Sequence, residues 1–291
     1  MIAGARVIKG RRYYKGRKIL GESLKLFVGV CICIIVLAPI LIAVFSSIKS
    51  RADMSAVSPL LPPSFARITF ESYKAVLSND KLLTAFQNTF IIIICSVSCN
   101  VILGTITAYS LERFQFKFKG VMFILFFLGM MIPTFVTEIA RFGLISNLQL
   151  YNTLGAPIII YVATDLMQLY IYRQHISKIS ISLDESGMLD GCGHFGVFWR
   201  IIFPQLRPAT ATVVIIKIVT IINDMYIPYL YMPSNKLKTL TTFLMMYNAN
   251  LRGSWQQLSA AVIIVLIPTV LIYVFTQKYI ISGLSAGAVK E

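Results

Sequence analysis

The sequence predicts an all-α polytopic membrane protein of six transmembrane helices with both ends in the cytoplasm. Three observations predict it. Hydrophobic residues make up 57% of the chain and charged residues 13%, with mean hydropathy +0.75, more apolar surface than a water-soluble domain buries. Six apolar runs approach the ~20 residues needed to cross a hydrocarbon core as a helix. Lys and Arg collect on one side of the resulting topology, as short cytoplasmic segments require.

The runs lie at 24–48, 86–110, 121–137, 155–172, 208–229 and 258–280. The first exceeds the roughly 7 to 15 residue core of a cleaved signal, and no A-x-A-like site follows it, so it is expected to stay as a signal anchor. Pro39, Pro133 and Pro268 fall inside runs and predict kinks, since neighbouring helices satisfy the freed carbonyls. Polar residues interrupt the third and fourth runs. With the tail MIAGARVIKGRRYYKGRK inside, eight cations lie at or before Lys25, and the inner loops and C-terminus add three, four and two, against five, one and three outside. That topology explains the net charge of +15 without a nucleic-acid partner. The expected organisation is a basic tail (1–23), one membrane domain (24–280) and a cytoplasmic C-terminal tail (281–291).

Cys31, Cys33, Cys95 and Cys99 lie within spans and Cys192 in a cytoplasmic loop, where disulfides are disfavoured. Cys95 and Cys99 share a helix face, but both histidines, His175 and His194, are far away in sequence, so the pair reads as small-residue packing rather than a metal site. Met130, Met131, Met245 and Met246 read as adaptable packing. No nucleophile has its base and no metal cage forms, which argues against an enzyme. Outside, residues 49–85 contain PSFARITFESYKAVL, expected to form a short surface helix, and 231–257 carries Lys236, Lys238, Arg252 and Trp255.

The informative loop is cytoplasmic, 177–207. Ser182 and Glu185 have capping-box spacing and start a short helix there. Asp184 and Glu185 suit its positive end, and Asp190-Gly191 closes it. Phe195, Phe198, Trp199 and Ile202 then recur at the spacing of a second helix with one apolar face, stopped by Pro204. Small residues Ser186, Gly187 and Gly191 keep the first helix thin enough for another protein's backbone to approach. A helix, glycine turn and helix entering the cytoplasm from a lipid-embedded chain reads as a docking knob.

Glu185-Ser186-Gly187-Met188-Leu189-Asp190-Gly191 with Ile201-Ile202-Phe203-Pro204 resembles the EAA loop of ATP-binding-cassette (ABC) importer permeases, with Ser186 and Gly187 in place of the two alanines and Phe203 in place of a leucine. The C-terminal QKYIISGLSAGAVKE is similar to that of maltose-transporter-like sugar permeases, as are ESYKAVL, QNTF, AYSLERFQFKFKG and INDMYIPYL, the last with Ile222 where that family often has Trp. These patches are spread over most of the chain after residue 70.

The resemblance implies a type I ABC importer permease fold whose coupling helix sits in a cleft of a cytoplasmic ATPase, through Asp184, Glu185, Ser186, Gly187, Asp190, Gly191 and Pro204. It implies a second ATPase contact through the tail at Ser285, Gly287 and Lys290. The implied partners are a homologous second permease, two ATPase subunits that bind ATP and Mg, and an extracellular or periplasmic substrate-binding protein, in a bacterial cell membrane. The chain itself has no phosphate-binding G-x-x-x-x-G-K-[ST] loop.

Polar residues inside spans mark candidate pathway positions, because membrane-embedded charge is costly. Asn223 and Asp224, with Tyr226 and Tyr229, offer hydrogen-bonding and stacking groups suited to carbohydrate; the alternative is an interfacial aromatic belt with a polar helix end. Asp165 is a further candidate. Lys217 either pairs with an acid of the partner permease or reaches the cytoplasmic interface. Glu138 with Arg141, and 147–152, offer a lining for the outer vestibule; the alternative, ordinary loop polarity, is the favoured reading. A secondary carrier would show repeats and a midplane ion site, and importers of peptides, amino acids or phosphate share the EAA pattern; the patches outside the loop favour sugar.

Overall fold

A computed structural model describes the backbone of residues 2–56, 58, 61–247 and 254–288, and side chains of most residues between 22 and 277. Lys290 and Arg252 lie outside the described residues, and of Ser285 and Gly287 only the backbone is described. Every regular element among the described residues is helical, and extended backbone pairs only at an isolated bridge between Lys49 and Ile68.

The first span lies in α1 (Ile2–Ser47), continuous through Pro39, and the second in α4 (Asp80–Arg113). Between them come α2 (Arg51–Ala56), a 3-10 turn at Phe65–Arg67 and α3 (Glu71–Leu77), the expected short surface helix. The third run is not one kinked span. It divides into α5 (Lys119–Met131) and α6 (Thr134–Asn147), bent by 104° at Ile132 and Pro133. Pro133 stands at the start of α6 in an extended conformation (φ −58, ψ 133), where its missing N–H costs nothing, so it breaks the helix instead of kinking it.

The fourth run also divides, into α7 (Gly155–Val162) and α8 (Leu166–Ile176), bent by 47°. The knob follows as α9 (Ile181–Leu189), then α10 (His194–Val197), a π-turn at Phe198–Ile202 and α11 (Phe203–Gln205). The chain bends by 74° into α12 (Arg207–Asn223), which ends six residues before the expected limit at Tyr229; Tyr226–Tyr231 form a separate helix, α13. Finally α14 (Leu240–Leu244) leads to α15 (Trp255–Ala288), unbroken through Pro268.

Helix α4 is the axis of the bundle. One side packs on α7, α8 and α12, while α15 packs on α1, α3 and α12. Its buried face carries small or polar residues, Ser96, Asn100, Gly104, Thr105 and Ala108, which let neighbouring backbones approach. In contrast, α5 has no buried residue and α1 exposes Leu24, Phe27, Ile34, Ile35 and Val36, side chains suited to a lipid or subunit boundary. Three segments are long and apolar enough to span alone, Glu22–Ser47, Asp80–Arg113 and Trp255–Gln277, and six spans result if each bent pair counts as one.

Candidate functional site

The α9 knob starts two residues earlier than its spacing predicts. Ser180, not Ser182, is the N-cap: its hydroxyl accepts from the Ser182 N–H at 3.3 Å and lies 2.8 Å from the Ser182 hydroxyl. The expected Ser182–Glu185 box is absent because Ile181 already belongs to the helix. Its end is as expected, with Asp190 capping and Gly191 at φ +85, a left-handed conformation that suits glycine.

Burial divides the expected contact residues into two groups. Glu185, Ser186, Asp190 and Gly191 are exposed, but Asp184 and Gly187 face inward. The Asp184 carboxylate is 5% exposed, accepts a hydrogen bond from the Tyr109 hydroxyl at 3.1 Å and meets Arg113 Nη2 at 3.2 Å. Arg113 also donates to the Ile179 carbonyl at 2.7 Å, so the end of α4 grips both the start of α9 and the turn before it. Gly187 makes room for the second helix: a Cβ there would stand 2.5 Å from Ile201 Cδ1 and 3.1 Å from Val197 Cγ2. At Gly187 the thinness of α9 thus serves packing inside this chain, while Ser186 and Gly191 stay on its open side. Its outward face is more apolar than the sequence reading supposed, with Ile181, Leu183, Met188 and Leu189 exposed, Leu189 to 89%.

The second helix also differs from its expected face. Val197, Phe198 and Ile202 are buried against Tyr109, Leu169 and Tyr172, whereas Phe195 and Trp199 point away. The π-turn adds a residue to one turn, shifting the helical register between the two groups. Pro204 is within α11 and the helix continues to Gln205 before the bend. A second strap joins α8 to α4: Arg173 meets Glu112 at 2.8 Å and lies 4.3 Å over the Phe123 ring.

At the other candidate site, Asp224 fills the gap between α12 and α13. Its carboxylate accepts from the backbone N–H of Tyr226 (2.7 Å) and Ile227 (3.2 Å) and from the Tyr161 hydroxyl (2.8 Å), while its carbonyl accepts from Thr241 (2.8 Å). Asp224 therefore holds the break together, and Asn223 bonds back to the Val219 carbonyl of its own helix. Asn223, Tyr226 and Tyr229 are the exposed groups here, the two tyrosines to 42% and 54%, with Tyr226 edge-on to Phe135 at 5.7 Å.

Glu138 and Arg141 are not loop residues. They lie one turn apart on α6, where the buried Glu138 accepts from the Tyr231 hydroxyl at 2.6 Å and pairs with Arg141 at 3.2 Å. Burial, and the Glu138 carboxylate beside it, push the Tyr231 hydroxyl well above its usual range. Lys217 follows neither expected course. It pairs within the chain, with Asp165 at 2.8 Å. A cleft of about 710 Å3 opens beside that pair, lined by Met130, Thr134, Arg141, Thr164, Asp165 and others of α5, α6 and α8. Sequence reasoning had no signal for this cleft, because it arises from two helix breaks that meet in space. Among the described residues no group of three His, Cys, Asp or Glu is placed to hold a metal.

The family described as "binding-protein-dependent transport system inner membrane component" matches residues 100–285. The chain is 31% identical to the melibiose/raffinose/stachyose import permease protein MelC of Bacillus subtilis, over 87% of this chain and 91% of the relative. It is 28% identical to the probable starch degradation products transport system permease protein AmyC of Thermoanaerobacterium thermosulfurigenes, over 91% and 96% of the two chains. The multiple sugar-binding transport system permease protein MsmG of Streptococcus mutans is 32% identical over 88% and 93%. Among solved structures, a chain of a bacterial ABC transporter involved in import of the acidic polysaccharide alginate superposes with TM-score 0.80 at 21% identity, covering 90% of this chain and 96% of that one, a likeness of fold.

Proposed function

Because the chain belongs to the binding-protein-dependent transport inner membrane family, a family of multi-pass membrane transport components and not of enzymes, we propose that it is the permease subunit of an ATP-driven importer of sugars or oligosaccharides. The relatives named for starch products, raffinose-type sugars and multiple sugars align over nearly its whole length, which supports that cargo class. In this reading it forms half of a translocation pathway with a homologous second permease, receives cargo from an extracellular or periplasmic binding protein, and draws free energy from two ATPase subunits that bind ATP and Mg. The excess of Lys and Arg on the Arg113 side supports a cytoplasmic position for that side and for both termini.

The observation that carries the coupling role is the two-faced α9. Its inner face is fixed to α4 by Asp184 and to the second helix by Gly187, while Glu185, Ser186, Met188 and Leu189 remain open for a partner. An apolar anchor beside an acid is an arrangement that gives an interface both affinity and register. Asp190, Gly191 and Pro204 shape the knob, and Asp184 and Gly187 transmit load. Ser285, Gly287 and Lys290 are a second ATPase contact. Tyr226 and Tyr229 face the pathway, with Asn223 and Asp224 supporting them.

Reconstitution with the second permease, ATPase and binding protein tests both parts. Raffinose or maltotriose is expected to enter proteoliposomes and stimulate ATP hydrolysis, and Glu185→Lys is expected to weaken ATPase docking and lower both while insertion is unchanged. Uptake of phosphate, a dipeptide or an amino acid with no sugar uptake would refute the cargo. Full transport and stimulation in Glu185→Lys would refute the coupling role.

A further inference from the structure

We propose that the break in the fourth span, residues 163–165, is a subsite of the translocation pathway for neutral polyols, with Asp165 accepting sugar hydroxyls, Arg141 donating to them and Lys217 positioning Asp165. This rests on the reading of the chain as a sugar-import permease and narrows it to a place and a charge class.

Residues 163–165 are non-helical near the middle of the run from Gly155 to Ile176. Non-helical backbone at membrane depth persists only where protein buries it or where it lines a water-filled cavity. Here one side of the break is buried and the other open. On the buried side, Asn100 of α4 donates to the Val162 carbonyl (3.1 Å) and the Ala163 carbonyl (2.9 Å), and Gln168 donates back to the Asn100 carbonyl (3.0 Å). These bonds replace those that the helix gives up, so the break is maintained by dedicated groups.

On the open side, Asp165 keeps one oxygen on the Gln168 N–H (2.8 Å) and the other on Lys217 Nζ (2.8 Å), yet its side chain is 52% exposed to the cleft. Lys217 also reaches the Ala163 carbonyl at 3.4 Å. A half-exposed carboxylate in the middle of a span does not face acyl chains, because the cost of charge in hydrocarbon is too high. The side it faces is therefore closed to lipid, by water, by cargo or by the second permease of the proposed assembly.

The charges of that cleft define what it takes. Asp165 is neutralised by Lys217 and Arg141 by Glu138, each within this chain. Among the described residues that line the cleft no charge is left unpaired to attract an anionic or cationic solute, but the carboxylate has lone pairs and the guanidinium has N–H groups to spare. Met130, Phe126 and Leu125 supply apolar surface beside them. A ring that presents hydroxyls at its rim and C–H groups on its face fits a few placed polar groups on an otherwise apolar wall.

The test has two arms on the assembled importer. In a background with Cys31, Cys33, Cys95, Cys99 and Cys192 replaced, Ala163→Cys and Thr164→Cys are exposed to a membrane-impermeant thiol reagent, with Ile35→Cys on α1 as the lipid-facing control. Labelling at 163 and 164 and not at 35, slowed by raffinose with binding protein and ATP, is expected. In the second arm, Asp165→Asn is expected to raise the KM for raffinose by about tenfold, the effect of one lost charged hydrogen bond, and Asp165→Asn/Lys217→Met, a neutral pair that preserves packing, is expected to keep the raised KM while still copurifying with its partners. Absence of labelling at 163 and 164 in every nucleotide state, an unchanged KM in Asp165→Asn, or a wild-type KM in the double variant overturns the subsite, and intact raffinose uptake by the wild type then leaves the cargo reading standing. If the wild type carries only charged solutes, the cargo reading itself fails and the neutral subsite falls with it.

Discussion

Replacing Asp184 with alanine is expected to release α9 from α4. The Asp184 side chain is 7% exposed and the Arg113 side chain it meets 10%, so the variant leaves a buried cation without its counter-charge. Breaking such a pair from one side costs about 3 to 5 kcal/mol. The lower figure applies here for two reasons. Arg113 keeps its 2.7 Å bond to the Ile179 carbonyl, and the contact with Asp184 is ionic rather than well aligned, since neither Asp184 Oδ2 nor Arg113 Nε makes a hydrogen bond. At about 1.4 kcal/mol per tenfold, a loss of ~3 kcal/mol raises the population of the detached helix about 100-fold. Amide hydrogen exchange read by mass spectrometry on the permease in nanodiscs, with and without the ATPase, measures that directly at 181–190. Asp184→Asn, which keeps an acceptor for the Tyr109 hydroxyl, is expected to give an intermediate rate. Unchanged exchange at 181–190 in Asp184→Ala would refute the idea that this contact fastens the knob, and equal acceleration along all of α4 would show general unfolding instead.

Three other perturbations have distinct readouts. Leu189→Asp places a charge at an 89% exposed position, so thermal stability of the permease is expected to stay within about 0.5 kcal/mol while ATPase affinity in a pull-down or titration falls at least tenfold. Tyr231→Phe removes one of two partners of the buried Glu138 and is expected to cost about 1 to 3 kcal/mol, seen as a lower Tm of the purified complex. Asp224→Ala removes the acceptor of two backbone N–H groups and of the Tyr161 hydroxyl; transport is expected to fall more than basal ATP hydrolysis, and Asp224→Asn, able to bond the same N–H groups, to recover part of it, whereas equal loss of both activities would indicate failed assembly.

What the sequence made legible follows the range of the forces involved. Apolar length and charge asymmetry are local sums, so α1, α4 and α15 are found where the runs of Leu, Ile and Val lie. The breaks at Pro133, Asp165 and Asp224 are harder to read, because each interrupts a continuous apolar run. Two of them are stabilised by groups distant in sequence: Asn100 and Lys217 for the break at 163–165, Tyr161 and Thr241 for the one at Asp224. For these two a tertiary partner, not a local propensity, decides where the helix ends, whereas at Pro133 the local backbone accounts for the break. The knob shows the same limit. Its residue types were readable, but the side facing inward is set by Arg113, 71 positions before Asp184, and by Ile201 against Gly187.

The two devices of the chain are mounted on one helix. Tyr109 and Arg113 grip α9, and Asn100 holds the break that lines the cleft, all three on α4. Nine residues separate Asn100 from Tyr109, about 14 Å of continuous α-helix at 1.5 Å per residue. Over that length the buried face of α4 is packed without interruption, and an interior packed to crystal-like density transmits displacement instead of absorbing it. Moving the knob while α4 stays in place therefore requires breaking the Asp184 contacts; moving α4 with the knob carries Asn100, and with it the carbonyls of Val162 and Ala163. The strap from Arg173 to Glu112 fixes the far end of α8 to the same helix, so the break is held from both sides by α4. Under the proposed coupling role, a displacement of α9 that carries α4 is therefore passed on to Asn100 and the break beside Asp165, which is what a subunit driven by a partner's ATP-powered closure would require.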